Sequence, residues 1–286
     1  MEYKEFIKAG EEFDTFINEG YFGDKLKSFI SKRDNISLAE YYYLSIMSFI
    51  KNTSENEISE IGKYVESFFY LYTDAIKVNG QAVADILTDF MRGNKENPES
   101  ENQSSFNEFA IAHRDFVRKF NELKGQTDIK NYEKKECANL LIKSYSKGIE
   151  LAGKILIPCI LITDIHKNKN YSPYKIYSMT LFNKIELFNS LTEEKYKILT
   201  DAINRKIRNA EAHLSINFDI NTDCFVLKLP KKDKIELESI SYSEMLTDFY
   251  PKVGRLIQSF LFSCQLYYLV NIDLGKYREI TNILLK

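Results

Sequence analysis

Apolar positions along most of this chain recur three and four residues apart, the spacing that lays a single stripe down a helix. Phe6, Phe13, Phe16 and Ile17 open one such stripe within residues 2–31, and Gly20 and Gly23 break and restart it. Ser37 followed by Glu40 matches the capping box, in which a hydroxyl accepts a free amide at a helix start while the acid reaches back. A strongly apolar run from Tyr41 to Ile50 follows. Ser54 and Glu57 repeat the signal before Ile58, Ile61, Val65, Phe68 and Tyr72. After Asn79-Gly80 a shorter stripe (Val83, Ile86, Leu87, Phe90) ends near Gly93. Residues 93–105 are polar, contain Pro98 and read as a linker.

Beyond the linker, residues 106–123 read as a helix and residues 128–165 as a long one, with a kink expected at Pro158. Pro173 suits the first position of a helix running to about Asn189. Ser190 and Glu193 form another capping box, predicting a helix through Tyr196, Leu199, Ala202, Ile203 and Ile207. The period then changes. Ile216, Phe218 and Ile220 alternate with polar residues, Asn221-Thr222-Asp223 reads as a turn, and Phe225, Leu227 and Leu229 alternate again, predicting a β-hairpin. Ile235 and Leu237 add a third short strand after a second turn, Ser241 with Glu244 caps a long helix, and a short helix over residues 276–285 closes the chain. The fold class this predicts is all-α: a helical bundle with a small β-hairpin at about 214–239, preceded by an N-terminal helical region. The expected domains are residues 1–105 and 106–286.

Composition changes this picture little. Five Pro and 11 Gly in 286 residues favour long helices over a loop-rich all-β fold. With 44% apolar and 28% charged residues the chain is expected to be globular rather than disordered. Its N-terminus lacks the basic flank and apolar run of a secretory signal, and the most apolar segment, residues 155–162, is far short of the ~20 residues of a membrane span. Cys137, Cys159, Cys224 and Cys264 are scattered through apolar surroundings, which suits reduced thiols and a cytoplasmic protein with no membrane partner. Charge is more informative. Residues 1–110 carry 11 Lys and Arg against 20 Asp and Glu, whereas residues 111–286 carry 28 against 21. The C-terminal part therefore suits a polyanion better than the N-terminal part, which makes the acidic region a candidate cover or sensor for a basic site.

Three apparent motifs carry no chemistry. Gly148 to Lys154 imitates a phosphate-binding loop, but Ile155 stands where the magnesium-binding hydroxyl belongs and the run is helical in period. Asp219, Asn221 and Asp223 imitate a calcium loop without its glycine or final glutamate. His113 and His166 have no second ligand at metal-binding spacing. No metal and no cofactor are expected.

The run Ile207-Arg208-Asn209-Ala210-Glu211-Ala212-His213 is different. Acid–base chemistry at a phosphate ester needs a proton-exchanging group and a fixed cation. An imidazole, ordinarily titrating near pH ~6.5, suits the first task and an always-charged, fork-shaped guanidinium the second. His213 and Arg208 are the candidates, with Asn209 to orient the imidazole or touch phosphate and Arg205 and Lys206 in support. Arg205, Asn209 and His213 are four apart and share a helix face. Arg208 and His213 are five apart, so one helix points them ~140° apart and ~7.5 Å along its axis.

An Arg, an Asn directly after it and a His after four intervening residues resemble the signature of the HEPN ribonucleases, helical-bundle proteins of toxin–antitoxin, abortive-infection and CRISPR-associated systems. The resemblance covers about residues 128–275. It implies a toxin-like, metal-independent endoribonuclease that leaves 2′,3′-cyclic phosphate ends and acts in phage defence. RNA is the implied substrate, a homodimer would combine two motifs in one cleft, and an antitoxin or regulatory partner belongs to the same expectation. A non-catalytic helical module that binds nucleotide or a protein partner is the alternative on the same fold.

Overall fold

The computed structural model describes residues 3–92, 102–169 and 172–286. In chain order the first helices are α1 (Tyr3–Asn18), α2 (Asp24–Ile30), α3 (Leu38–Lys51), α4 (Glu55–Arg92), α5 (Asn102–Leu123) and α6 (Asn131–Lys167). The short helices α7 (Pro173–Tyr177), α8 (Leu181–Thr192), α9 (Ile198–Asp201) and α10 (Arg205–Ala212) follow. Then come strands β1 (Ile216–Asp219), β2 (Cys224–Lys231) and β3 (Lys234–Ser241), and helices α11 (Tyr242–Glu244), α12 (Tyr250–Ile272) and α13 (Leu274–Leu284). The fold is thus largely helical with one small sheet among the helices. Among the described residues no helix is long and apolar enough to cross a membrane.

The chain divides into two compact units, one of Met1–Ser104, Lys154–Thr200 and Arg255–Lys286, the other of Ser105–Gly153 and Asp201–Gly254. In the first, the serine half of each capping box forms: Ser37 Oγ accepts the Glu40 amide at 3.1 Å and Ser54 Oγ the Glu57 amide at 3.4 Å, while the two acids pair with Lys276 and Arg255. The break anticipated at Asn79 is a single non-helical residue (φ −154°, ψ 87°) inside α4, whose Oδ1 caps the continuing helix by accepting the Ala82 amide at 3.1 Å. Ile46, Ile61, Val65, Phe262, Leu266, Leu269 and Ile280 form the core. Gly62 lets α4 touch the backbone of α13, because a Cβ there would overlap the Leu284 carbonyl oxygen. Arg255 forks onto Glu57 at 2.8 and 2.6 Å.

In the second unit, β1, β2 and β3 form an antiparallel sheet in that order. Phe218 pairs with Phe225, and Phe225 with Ile240, so one face carries the buried Phe218, Phe225, Leu227 and Ile240. Helix α10 packs on β1 and β2. Gly148 gives α6 room beside α5 and the start of α12, where an added Cβ would lie 2.6 Å from Val253 Cγ1 and 3.1 Å from Phe109. Ser241 caps α11 through the Glu244 amide at 3.0 Å, and residues Met245–Phe249 form a π-helix before α12.

Four expectations need correction. Of the predicted linker, residues 93–101 lie outside the described residues, and the rest is the opening of α5, whose stripe from Phe106 extends back through a polar first turn. The helix expected from Pro173 to about Asn189 is two, because Thr180 Oγ1 caps a new start by accepting the Asn183 amide at 3.3 Å. The motif helix does not begin at Ser190, which lies inside α8; Glu193 and Glu194 then take left-handed conformations (φ 53° and 59°) that no helix contains. The closing helix starts earlier than expected, at Leu274, capped by Asp273 through the Lys276 amide at 3.1 Å.

Candidate functional site

Asn204 creates the motif helix. Its side-chain oxygen accepts the amides of Lys206 and Ile207 at 3.0 and 3.4 Å, a cap ordinarily worth about 1 kcal/mol. Its own amide donates to Tyr145 Oη of α6 at 3.1 Å. Tyr145 is fully buried, and burial holds its hydroxyl in the neutral form well above the ordinary tyrosine range.

Helix α10 turns Ile207 and Ala210 inward, at 0% and 2% exposure. Arg208 and Glu211, three residues apart, meet a matching pair four apart on α6. Arg208 Nε donates to Glu150 Oε1 at 2.6 Å, and Ser146 Oγ donates to Glu211 Oε2 at 2.8 Å. Glu211 is thus the residue that receives Ser146. Arg208 Nη1 also donates to Asn209 Oδ1 at 3.3 Å. Arg205, Asn209 and His213, which their four-residue spacing places on one face, are exposed, while Arg208 stands off that face and is only partly exposed. Lys206 is exposed too, with its Nζ 2.8 and 3.2 Å from the two oxygens of Glu238 on β3.

The end of the helix is a Schellman closure. His213 is the C-cap and its amide donates to the Asn209 carbonyl at 3.0 Å. The Leu214 amide donates to the Glu211 carbonyl at 3.0 Å and the Ser215 amide to the Ala210 carbonyl at 2.7 Å. The left-handed position, normally a glycine, is Leu214 at φ 53°, with a side chain 92% exposed. Ser215 then accepts the Lys228 amide at 2.8 Å, fastening the helix end to the sheet. This holds the His213 backbone at a defined place and leaves its imidazole in solvent.

No family model, curated protein or solved structure matches the chain.

The fold therefore brings Arg208 and Asn209 together and sets His213 one turn beyond Asn209. Among the described residues no hydrogen bond joins the His213 ring to Arg208. Sequence reasoning missed Tyr145, Ser146 and Glu150, which sit in or beside the stretch that imitates a phosphate loop. The i, i+4 spacing of Ser146 and Glu150 was visible, but nothing in it named α10 as the partner. The dismissed motifs have structural uses. Asp219 accepts the Asn221 amide and the Thr222 hydroxyl, both at 3.0 Å, and these bonds hold its carboxyl below the usual range. His113 Nδ1 lies 2.5 Å from Tyr250 Oη, which in turn contacts Ser144 Oγ at 2.8 Å; loss of hydration, then the Arg114 charge, lowers the imidazole pKa.

Proposed function

We propose that this chain is a metal-independent endoribonuclease, on the strength of one arrangement: an exposed imidazole, His213, one turn from an exposed Asn209 that is hydrogen-bonded by Arg208. An imidazole takes the proton of an RNA 2′-hydroxyl; the 2′-oxygen attacks the adjacent phosphorus, the bond to the 5′-oxygen breaks, and that oxygen leaves with a proton. The products are a 2′,3′-cyclic phosphate and a 5′-hydroxyl. Arg208 stabilises the phosphorane charge, Asn209 orients phosphate or imidazole, and Arg205 and Lys206 support the strand. The Glu150 pair does not prevent this. Arg208 and Glu150 keep 32% and 45% of their side-chain surface exposed, and such pairs are worth only about 0–1 kcal/mol, so an arriving phosphate competes for the guanidinium.

A single α10 places Arg208 and His213 on different faces, so we propose that two copies meet about a two-fold axis and each site takes residues from both. The setting we infer is cytoplasmic and toxin-like, with a role in abortive infection and regulation by an antitoxin or partner protein. In the test, purified protein is incubated with mixed RNA in EDTA and the ends of the products are analysed. Cleavage to cyclic phosphate ends is expected to continue, to spare DNA, which lacks the 2′-hydroxyl, and to fall by at least about 100-fold in His213→Ala. Loss of cleavage in EDTA, or full activity in that variant, overturns the reading.

The double clamp of α10 onto α6 favours a second reading. If Arg208 serves only to hold Glu150, the module binds nucleotide or a protein partner and cuts nothing; an inactive wild type that still dimerises supports that outcome.

A further inference from the structure

We propose that the hollow between the α5–α6 connection and the sheet, within the second unit, binds a small planar aromatic molecule that carries an anionic group. The hollow is about 510 Å³, inside the range of about 300–1,000 Å³ typical of small-molecule sites. Rings wall it: Phe120 from α5, Phe218 from β1 and Tyr242 from α11. Phe218 and Tyr242 stand edge to face, 5.9 Å between centroids, a corner against which a third ring packs favourably.

The polar groups of the lining ask for an acceptor. Tyr242 Oη has one partner among the described residues, the Cys137 thiol at 3.5 Å, a weak substitute for an oxygen. Lys124 and Lys134 also border the hollow, and among the described residues neither has a carboxylate within ion-pair distance. Against these two cations stands one acid, Asp223. Two other hydroxyls at the rim are engaged, Thr222 with Asp219 and Ser241 with the Glu244 amide. Two ammonium groups and a hydroxyl around an aromatic box fit a flat ring bearing a carboxylate or a phosphate. Phe218 lies five residues after His213, so an occupant braces the strand that follows the motif helix.

The test is equilibrium titration of the full chain by calorimetry with three probes: ribonucleoside monophosphates, indole-3-acetate as an aromatic carboxylate, and inorganic phosphate as an anion without a ring. We expect saturable binding of at least one aromatic anion, with phosphate alone binding at least about tenfold more weakly. The charge reversal K124E/K134E, at partly or fully exposed positions, should leave the thermal midpoint in place and weaken binding by about tenfold or more. His213→Ala should keep full affinity, which separates this site from the proposed cleavage site and makes the result independent of ribonuclease activity. Which aromatic probe binds identifies the source of the anion. No saturable aromatic binding, equal binding of phosphate, unchanged affinity in the double variant, or loss of affinity in His213→Ala each overturns the proposal.

Discussion

Helices α4 and α13 in one unit and helix α10 in the other are held by opposite means. The first pair meets backbone to backbone at Gly62 around an apolar core that excludes water. Among its described residues helix α10 buries Ile207 and Ala210 fully, and polar pairs tie it to α6: Arg208 to Glu150, Glu211 to Ser146, and the Asn204 amide to Tyr145. Apolar packing resists a change of shape, whereas a half-exposed ion pair such as Arg208 with Glu150 exchanges partners at little cost. A rigid crossing suits a frame, and a polar clamp suits side chains that must meet a charged ligand.

Four substitutions grade this contrast. The largest effect is expected from Gly62→Ala. The helix gains about 1 kcal/mol of propensity, but the new methyl meets a carbonyl oxygen that cannot rotate away, and a net loss of about 3 kcal/mol should appear in urea unfolding. An unchanged midpoint would break the comparison at its strong end. Gly148→Ala meets a valine methyl and a phenylalanine ring instead, which can shift, so the net loss should be near 1 kcal/mol. Leu214→Gly should act in the other direction, gaining about 0.5–1 kcal/mol by relieving a left-handed leucine, with slower amide exchange at Ser215; destabilisation would mean that Leu214 makes contacts that outweigh its strain. Smallest is Glu150→Gln, which should cost less than about 1 kcal/mol. A loss comparable to that of Gly62→Ala would show that the clamp is structural.

Much of the frame was legible. The Ser37, Ser54 and Ser241 caps and the alternation over residues 216–229 depend on neighbours a few residues away, and each formed where its pattern stood. The same reasoning failed at Ser190 for an instructive reason. Tyr196, Leu199, Ala202, Ile203 and Ile207 are all buried, as a helical stripe predicts, but the backbone carrying them is a turn, the short α9, an extended Asn204 and a new helix. Apolar spacing reports which side chains are buried; it does not report whether the chain between them is continuous. The Asn204 cap was visible as a residue type and hidden by that continuity. The π-helix before α12 had no local signal, since its residues continue the apolar spacing of the helix it joins.

The candidate site divides along the same line. The face shared by Arg205, Asn209 and His213, and the separation of Arg208 from it, follow from 100° per residue and were set by the sequence itself. What Arg208 holds was not. A guanidinium on a long, flexible stem reaches any carboxylate in a wide arc, and Glu211, three residues away, was as good a partner in the sequence as any. Only the packing of α10 on α6 brought Glu150, 58 residues distant, to its Nε and gave Glu211 to Ser146. Local spacing determines direction along a helix, while the identity of a charge's partner is decided by which two surfaces the core presses together.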